Sequence, residues 1–234
     1  MTLSKQIPLQ FEHRANQTFD DFFPSTNSEI IDQLQRSIAG NGEQLIFLWG
    51  KAGLGKSHLL QATCKEAQRM GLESFYITFS SHKLPEPSLL QGLEAFDVVC
   101  FDNIEHIAGN KAWEQAFFNF FNQQRDQGHY LVLSAECAPN KIAIQLPDLI
   151  TRLNWGLTLK IQPVSDIDKI STLIFKASKM GFKLSPQAGR FLLTHYNRDF
   201  SSLWDLLIKL DRASLAAKRK LTIPFLKKVL SEEN

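Results

Sequence analysis

Eight consecutive residues, Gly50-Lys51-Ala52-Gly53-Leu54-Gly55-Lys56-Ser57, match at every fixed position the pattern of a loop that wraps a polyphosphate. Each fixed residue type has a chemical reason. Glycines let the backbone curl so that its amides converge on phosphate oxygens, and the amino terminus of a following helix adds positive dipole. A lysine reaches the terminal phosphates and a hydroxyl ligates magnesium. Gly50, Ala52, Gly53, Leu54, Gly55, Lys56, Ser57 and the adjoining His58 are therefore the candidate cofactor-binding residues, for ADP or ATP with Mg2+.

Downstream, the apolar run Val98-Val99-Cys100-Phe101 ends in Asp102, where a phosphate-loop fold keeps the acid that holds magnesium through water. Ser57 and Asp102 are the candidate metal residues. The next residue is Asn103, where many ATPases of this class carry a glutamate that polarises the attacking water. An amide takes no proton at neutral pH, so Asn103 is at most a weak water-positioning group and slow intrinsic hydrolysis is expected.

The elements that must position these groups follow from the hydrophobic pattern. Ile30, Ile31, Leu34 and Ile38 recur at helical spacing over 27–39, before a strand over 45–49 that leads into the loop. A helix over about 55–70, strands at 75–77 and 98–101, a helix over 113–127 and a strand at 130–133 come next. This alternation predicts an α/β fold with a parallel sheet flanked by helices. Beyond Pro163 the strand signals cease, and helical stretches at 166–180, 186–196, 200–217 and from Thr222 onward predict a small all-helical second domain. The expected organisation is an arm over 1–17, an α/β nucleotide-binding domain over 18–162 and a helical lid over 163–234.

The chain has 234 residues, 44% hydrophobic, enough for a sizeable core. Its net charge of +2 gives no chain-wide field for gripping a nucleic-acid backbone, so DNA is expected only indirectly or weakly. Cys64, Cys100 and Cys137 are widely spaced, with no paired pattern for a zinc or redox site. No apolar run has membrane-spanning length and the amino terminus lacks a secretory signal, which predicts a cytoplasmic protein without membrane contact.

The loop, the Asp102-Asn103 pair and above all Leu146-Pro147-Asp148-Leu149-Ile150-Thr151-Arg152-Leu153-Asn154-Trp155-Gly156 resemble the AAA+ domain of the bacterial initiator DnaA. Within that family the likeness is to the Hda-type regulatory inactivators, because the chain stops after the Lys220-Leu221-Thr222-Ile223-Pro224-Phe225 region, where the initiator continues into a DNA-binding domain. The resemblance implies an AAA+ core with a helical lid, and Arg152 as an arginine finger acting on a partner's ATP. It also makes Gln6, Ile7, Leu9 and Phe11 similar to peptides that dock on the DNA polymerase III beta sliding clamp.

By that resemblance the partners are DnaA, the clamp and a second copy of the chain, in a homodimer or higher self-assembly. The function implied is regulatory inactivation of DnaA through hydrolysis of its ATP, preventing re-initiation of replication. A helicase loader or a stand-alone weak P-loop ATPase is the alternative. Two sensor positions stay open: Ser134 or Glu136 fits the first, and Ser201 or the nearby Arg198 fits the second. The basic run Lys218-Arg219-Lys220 reads as a solvated helix end, with contact to DNA phosphates as the other possibility.

Overall fold

In the computed structural model, residues 17–22, 27–80, 82, 84–197, 200–217 and 222–231 are described, without the side chains at 200, 201, 215–217 and 231. Gln6, Ile7, Leu9, Phe11, Arg198, the run 218–220 and the Ser201 side chain lie outside the described residues.

Five strands form one sheet: β1 (Leu45–Trp49), β2 (Ser74–Thr78), β3 (Val98–Asp102), β4 (Tyr130–Ala135) and β5 (Leu157–Lys160), in the order β2-β3-β4-β1-β5. All four pairings are parallel. The unbroken apolar runs of β1 and β3 need cover on both sides, and helices supply it. Phe47, Phe101 and Leu133 point to one face, where they meet Trp113 and Phe117 of α3 (Lys111–Gln127) and Leu149 of α4 (Pro147–Leu153). Their strand neighbours Ile46, Leu48, Cys100 and Val132 point to the other, against Leu34 of α1 (Ser28–Ile38) and Leu59 of α2 (Lys56–Arg69). This is the period-two alternation of a strand divided between two buried faces.

The pattern-based elements stand within one or two residues of their expected bounds at most ends, whereas β5 was not among them. It has four residues, alternately half-buried and exposed, at the sheet edge beside β1. So short and polar an edge strand carries little periodic signal.

The carboxy-terminal helices α5 (Asp166–Lys179), α6 (Pro186–His195), α7 (Phe200–Ala217) and α8 (Ile223–Ser231) enclose a core of their own, centred on Leu173, Leu192, Leu203, Leu207 and Leu226. Ser165 and Ser185 cap α5 and α6 by accepting the amides of Asp168 and Ala188, each at 3.1 Å. Among the described residues no helix is long and apolar enough to cross a membrane.

Candidate nucleotide site

The loop leaves the carboxyl end of β1 and turns into α2 at Gly55, whose φ of +95° only glycine adopts without strain. A Cβ there would stand 2.8 Å from Phe22 Cε2, so the amino-terminal segment closes the back of the loop. Lys56 opens the helix and is 6% exposed. Its ammonium donates to the carbonyls of Gly50 at 2.6 Å and Lys51 at 3.2 Å, which brace the loop and leave one of its three donors for a phosphate oxygen.

His58 follows on the same helix, but its ring turns from the loop. Nε2 lies 2.8 Å from the Thr18 carbonyl, the geometry of a neutral ring donating its proton, and Phe22 packs edge-on at 5.5 Å. Burial pulls the His58 pKa down to about 4, against the opposing pull of the Thr18 carbonyl. The side chain thus ties the amino-terminal segment to α2.

Asp102 ends β3, 1% exposed. Its carboxylate accepts the Ser134 hydroxyl on one oxygen and the Tyr76 hydroxyl, at 2.9 Å, on the other. Burial, then the Asp102 charge, push the Tyr76 pKa far above that of an ordinary phenol, so it stays a donor. Ser57 and Gln61 act on the Tyr76 phenol in the opposite sense, drawing its pKa back down slightly. The buried Gln61 Oε1 is without a partner among the described residues. Oxygen donors alone, one of them a carboxylate, fit a hard cation in chemical type.

Asn103 is the only non-glycine residue with positive φ among the described residues, at +59°. Asparagine tolerates that conformation better than glutamate does. Its backbone N–H donates to Ser134 Oγ at 3.2 Å and its amide donates to Thr78 Oγ1 at 3.2 Å. Of the two residues considered for the first sensor, Ser134 touches both Asp102 and Asn103. Glu136 is exposed, and its backbone amide donates to Glu105 Oε1 at 3.0 Å.

Among the described residues Arg152 makes no hydrogen bond or ion pair to this loop. It sits near the end of α4, where its carbonyl accepts the Trp155 amide at 3.1 Å. A Cβ at the next residue, Gly156, would drive into the Leu45 carbonyl and side chain at the start of β1. The loop departs from the opposite end, past Trp49, roughly 13 Å away at the rise of a parallel strand. Arg152 is half-buried, and among the described residues its guanidinium makes no ion pair or hydrogen bond. Beside it Trp155 is 55% exposed, backed by Phe121 at 6.3 Å and by the Arg125 guanidinium at 6.0 Å.

Reading the sequence overlooked Tyr76, Lys176 and Glu114. Tyr76 reaches Asp102 only through the register of β2 on β3, and Lys176 pairs with Asp21 across the fold, so neither carries a local signal. Glu114 carried one. It is an acid in helical register with Phe117 and Phe121, on the face that α3 buries.

The family model of the bacterial DnaA ATPase domain matches residues 13–160, and that of the Hda lid domain matches residues 166–230. Domain III of the Thermotoga maritima replication initiation protein DnaA is similar in structure, with a TM-score of 0.76 and 21% identity over 93% of this chain and 96% of that one. AMPPCP-bound DnaA from Aquifex aeolicus has a TM-score of 0.68 and 19% identity, over 81% of this chain and 61% of that one. The Thermotoga maritima RuvB Holliday junction branch migration motor has a TM-score of 0.69 and 16% identity, over 93% and 72%. The structural likenesses show a shared AAA+ fold. With the DnaA ATPase-domain match spanning more than half of its length and an Hda-type lid behind it, the chain belongs to the DnaA-related AAA+ family.

Proposed function

We propose that this protein regulates DnaA by completing the initiator's ATP site with Arg152, and that the amino-terminal arm tethers it to the DNA-loaded sliding clamp. The observation that carries this reading is the separation of Arg152 from its own phosphate loop. An arginine four residues before Gly156, whose backbone lies against Leu45 at the end of β1 away from the loop, unpaired among the described residues and beside an exposed Trp155, suits a phosphate on another molecule better than its own.

The loop in this reading holds ADP or ATP. Its amides, Lys56 and the dipole of α2 bind the phosphates, as DnaA of Aquifex aeolicus binds AMPPCP. Ser57 and Asp102 would hold magnesium, which would neutralise charge at those phosphates. Asn103 orients water without taking its proton, so the chain's own turnover is slow. Its role is to accelerate hydrolysis elsewhere, where an arginine given in trans contributes roughly 10³ to 10⁵ in rate.

Gln6, Ile7, Leu9 and Phe11 supply the tether in this account. Holding two proteins on one clamp raises their effective concentration without any new contact between them. The lid and the α/β body are read as separate domains, and self-association, which would cover Arg152, as an inactive store.

Hydrolysis of DnaA-bound ATP, followed with clamp loaded on DNA, tests the reading. Acceleration by the wild-type chain, lost when Gln6, Leu9 and Phe11 become alanine and regained at high protein concentration, is the expected result. No acceleration despite measured clamp binding would sink it.

A further inference from the structure

Glu114 is a carboxylate at the sheet-facing side of α3, 1% exposed, with no cation among its partners. It is satisfied by backbone. Oε1 accepts the Gly109 amide at 2.7 Å, both oxygens accept the Gln145 amide at 3.1 and 2.9 Å, and Oε2 accepts the Leu146 amide at 2.8 Å. Hydrogen bonds from amides to an ionised group are among the stronger ones in proteins, and one that is buried costs most to leave unmade.

The bonded amides belong to two segments with different duties. Gln145 and Leu146 lead into α4, and Leu146 is its N-cap, a residue with no side-chain acceptor of its own. Glu114 therefore caps α4 from a neighbouring helix, with its negative charge at the positive end of the dipole. A helix of seven residues has little intrinsic stability, so its direction depends on what holds its ends. Trp155 on Phe121 holds one end, Glu114 the other, and Arg152 lies between.

Gly109 ends the segment that begins at Asn103. That segment is fixed by the Asn103 contacts to Ser134 and Thr78 and by Glu105 on the Glu136 amide. One carboxylate thus joins the stretch following Asp102 to the helix that carries Arg152.

We propose that Glu114 is the positioning residue for Arg152: it fixes the start of α4 against the loop that follows the nucleotide site's own acid. The proposal rests on the reading of Arg152 as a group acting on a partner. Glu114 itself bonds the backbone amides of Gly109, Gln145 and Leu146.

Glu114→Gln keeps the shape of the side chain but turns an amide NH2 toward backbone donors. Three readouts are compared in the full chain: stimulated hydrolysis of DnaA-bound ATP, affinity for a fluorescent ADP analogue, and amide hydrogen exchange over 145–153. The expected result is a loss of stimulation of at least ten-fold, ADP affinity within two-fold of wild type, and faster exchange confined to Gly109 and 145–153. In an Arg152→Ala background the same substitution adds no further loss. Stimulation within two-fold of wild type, unchanged exchange over 145–153, or a fall in ADP affinity matching the loss of stimulation would each overturn the proposal. Glu114→Asp, which shortens the reach to the same amides while keeping the charge, gives an intermediate loss. If Arg152→Ala leaves stimulation intact, the partner-acting reading fails and the proposal with it. A silent Glu114→Gln beside an inactive Arg152→Ala sinks the positioning role alone.

Discussion

Lys176 Nζ lies 2.7 Å from Asp21 Oδ1, an ion pair between residues 155 positions apart. The lysine side chain is 3% exposed, the aspartate 20%, and the ammonium also stands 4.1 Å from the centroid of the Trp204 ring. Asp21 belongs to the same short segment as Thr18 and Phe22, which pack on His58 and Gly55 of the phosphate loop and α2. The segment 18–22 therefore joins the lid to the nucleotide site.

Breaking that pair from one side leaves a buried charge without its partner. Asp21→Asn is expected to destabilise the protein by about 3 kcal/mol, the lower end for buried pairs because the carboxylate keeps some solvent. Denaturant unfolding checks this, and Asp21→Asn with Lys176→Met should recover part of the loss. A change below ~0.5 kcal/mol would mean the pair behaves as a surface one.

Acid should loosen the same joint. His58 is held neutral, its pKa pulled down to about 4, so the unfolded chain binds a proton between its own value near 6.5 and 4 that the folded chain does not. Stability from this site is complete above pH 6.5 and is lost as pH falls toward 4. Burial raises the Asp21 pKa, but hydrogen bonds from Lys176 and Thr18 outweigh it and hold the carboxyl below its ordinary value, so its contribution is lost at still lower pH. Melting temperatures from pH 7 to 4, with His58→Gln as the comparison, should show a slope for the wild type that the variant flattens.

At the phosphate loop, Lys56→Ala removes the cation held by the Gly50 and Lys51 carbonyls. Affinity for ADP should fall at least a hundred-fold, read by a fluorescent analogue, with melting temperature in the absence of nucleotide changed by only a few degrees.

Asn103→Asp puts a base where an amide now stands, in a residue that still tolerates positive φ. The chain's own ATP hydrolysis should rise at least ten-fold, short of the roughly 10² to 10⁴ that a fully positioned general base contributes. An unchanged rate in a variant that binds ATP normally would show that the missing base is not what limits turnover.

Much of this architecture was legible in the order of residues. The Gly50–Ser57 pattern announced the loop, and the apolar runs of β1 and β3 announced strands covered on both faces, because these signals are local and repeat within a few residues. What escaped reading was non-local or weak. Nothing near Tyr76 indicates that β2 lies in register with β3, and nothing near Asp21 indicates Lys176. Leu157–Lys160 was missed because half of an edge strand faces water and its pattern fades. Gly156 lies in the Leu146–Gly156 stretch that carries the family resemblance, and the fold supplies a reason for a glycine there, the close pass of its backbone over Leu45.

Whether Arg152 acts on ATP held by another protein is decided by single-turnover hydrolysis of DnaA-bound ATP in the presence of Arg152→Ala, with clamp loaded on DNA. Stimulation is expected to fall by at least a thousand-fold, or to background, while the variant's own ADP affinity and clamp binding stay within two-fold of wild type. Stimulation that survives the substitution, in a variant that still binds both, would contradict a partner-acting Arg152.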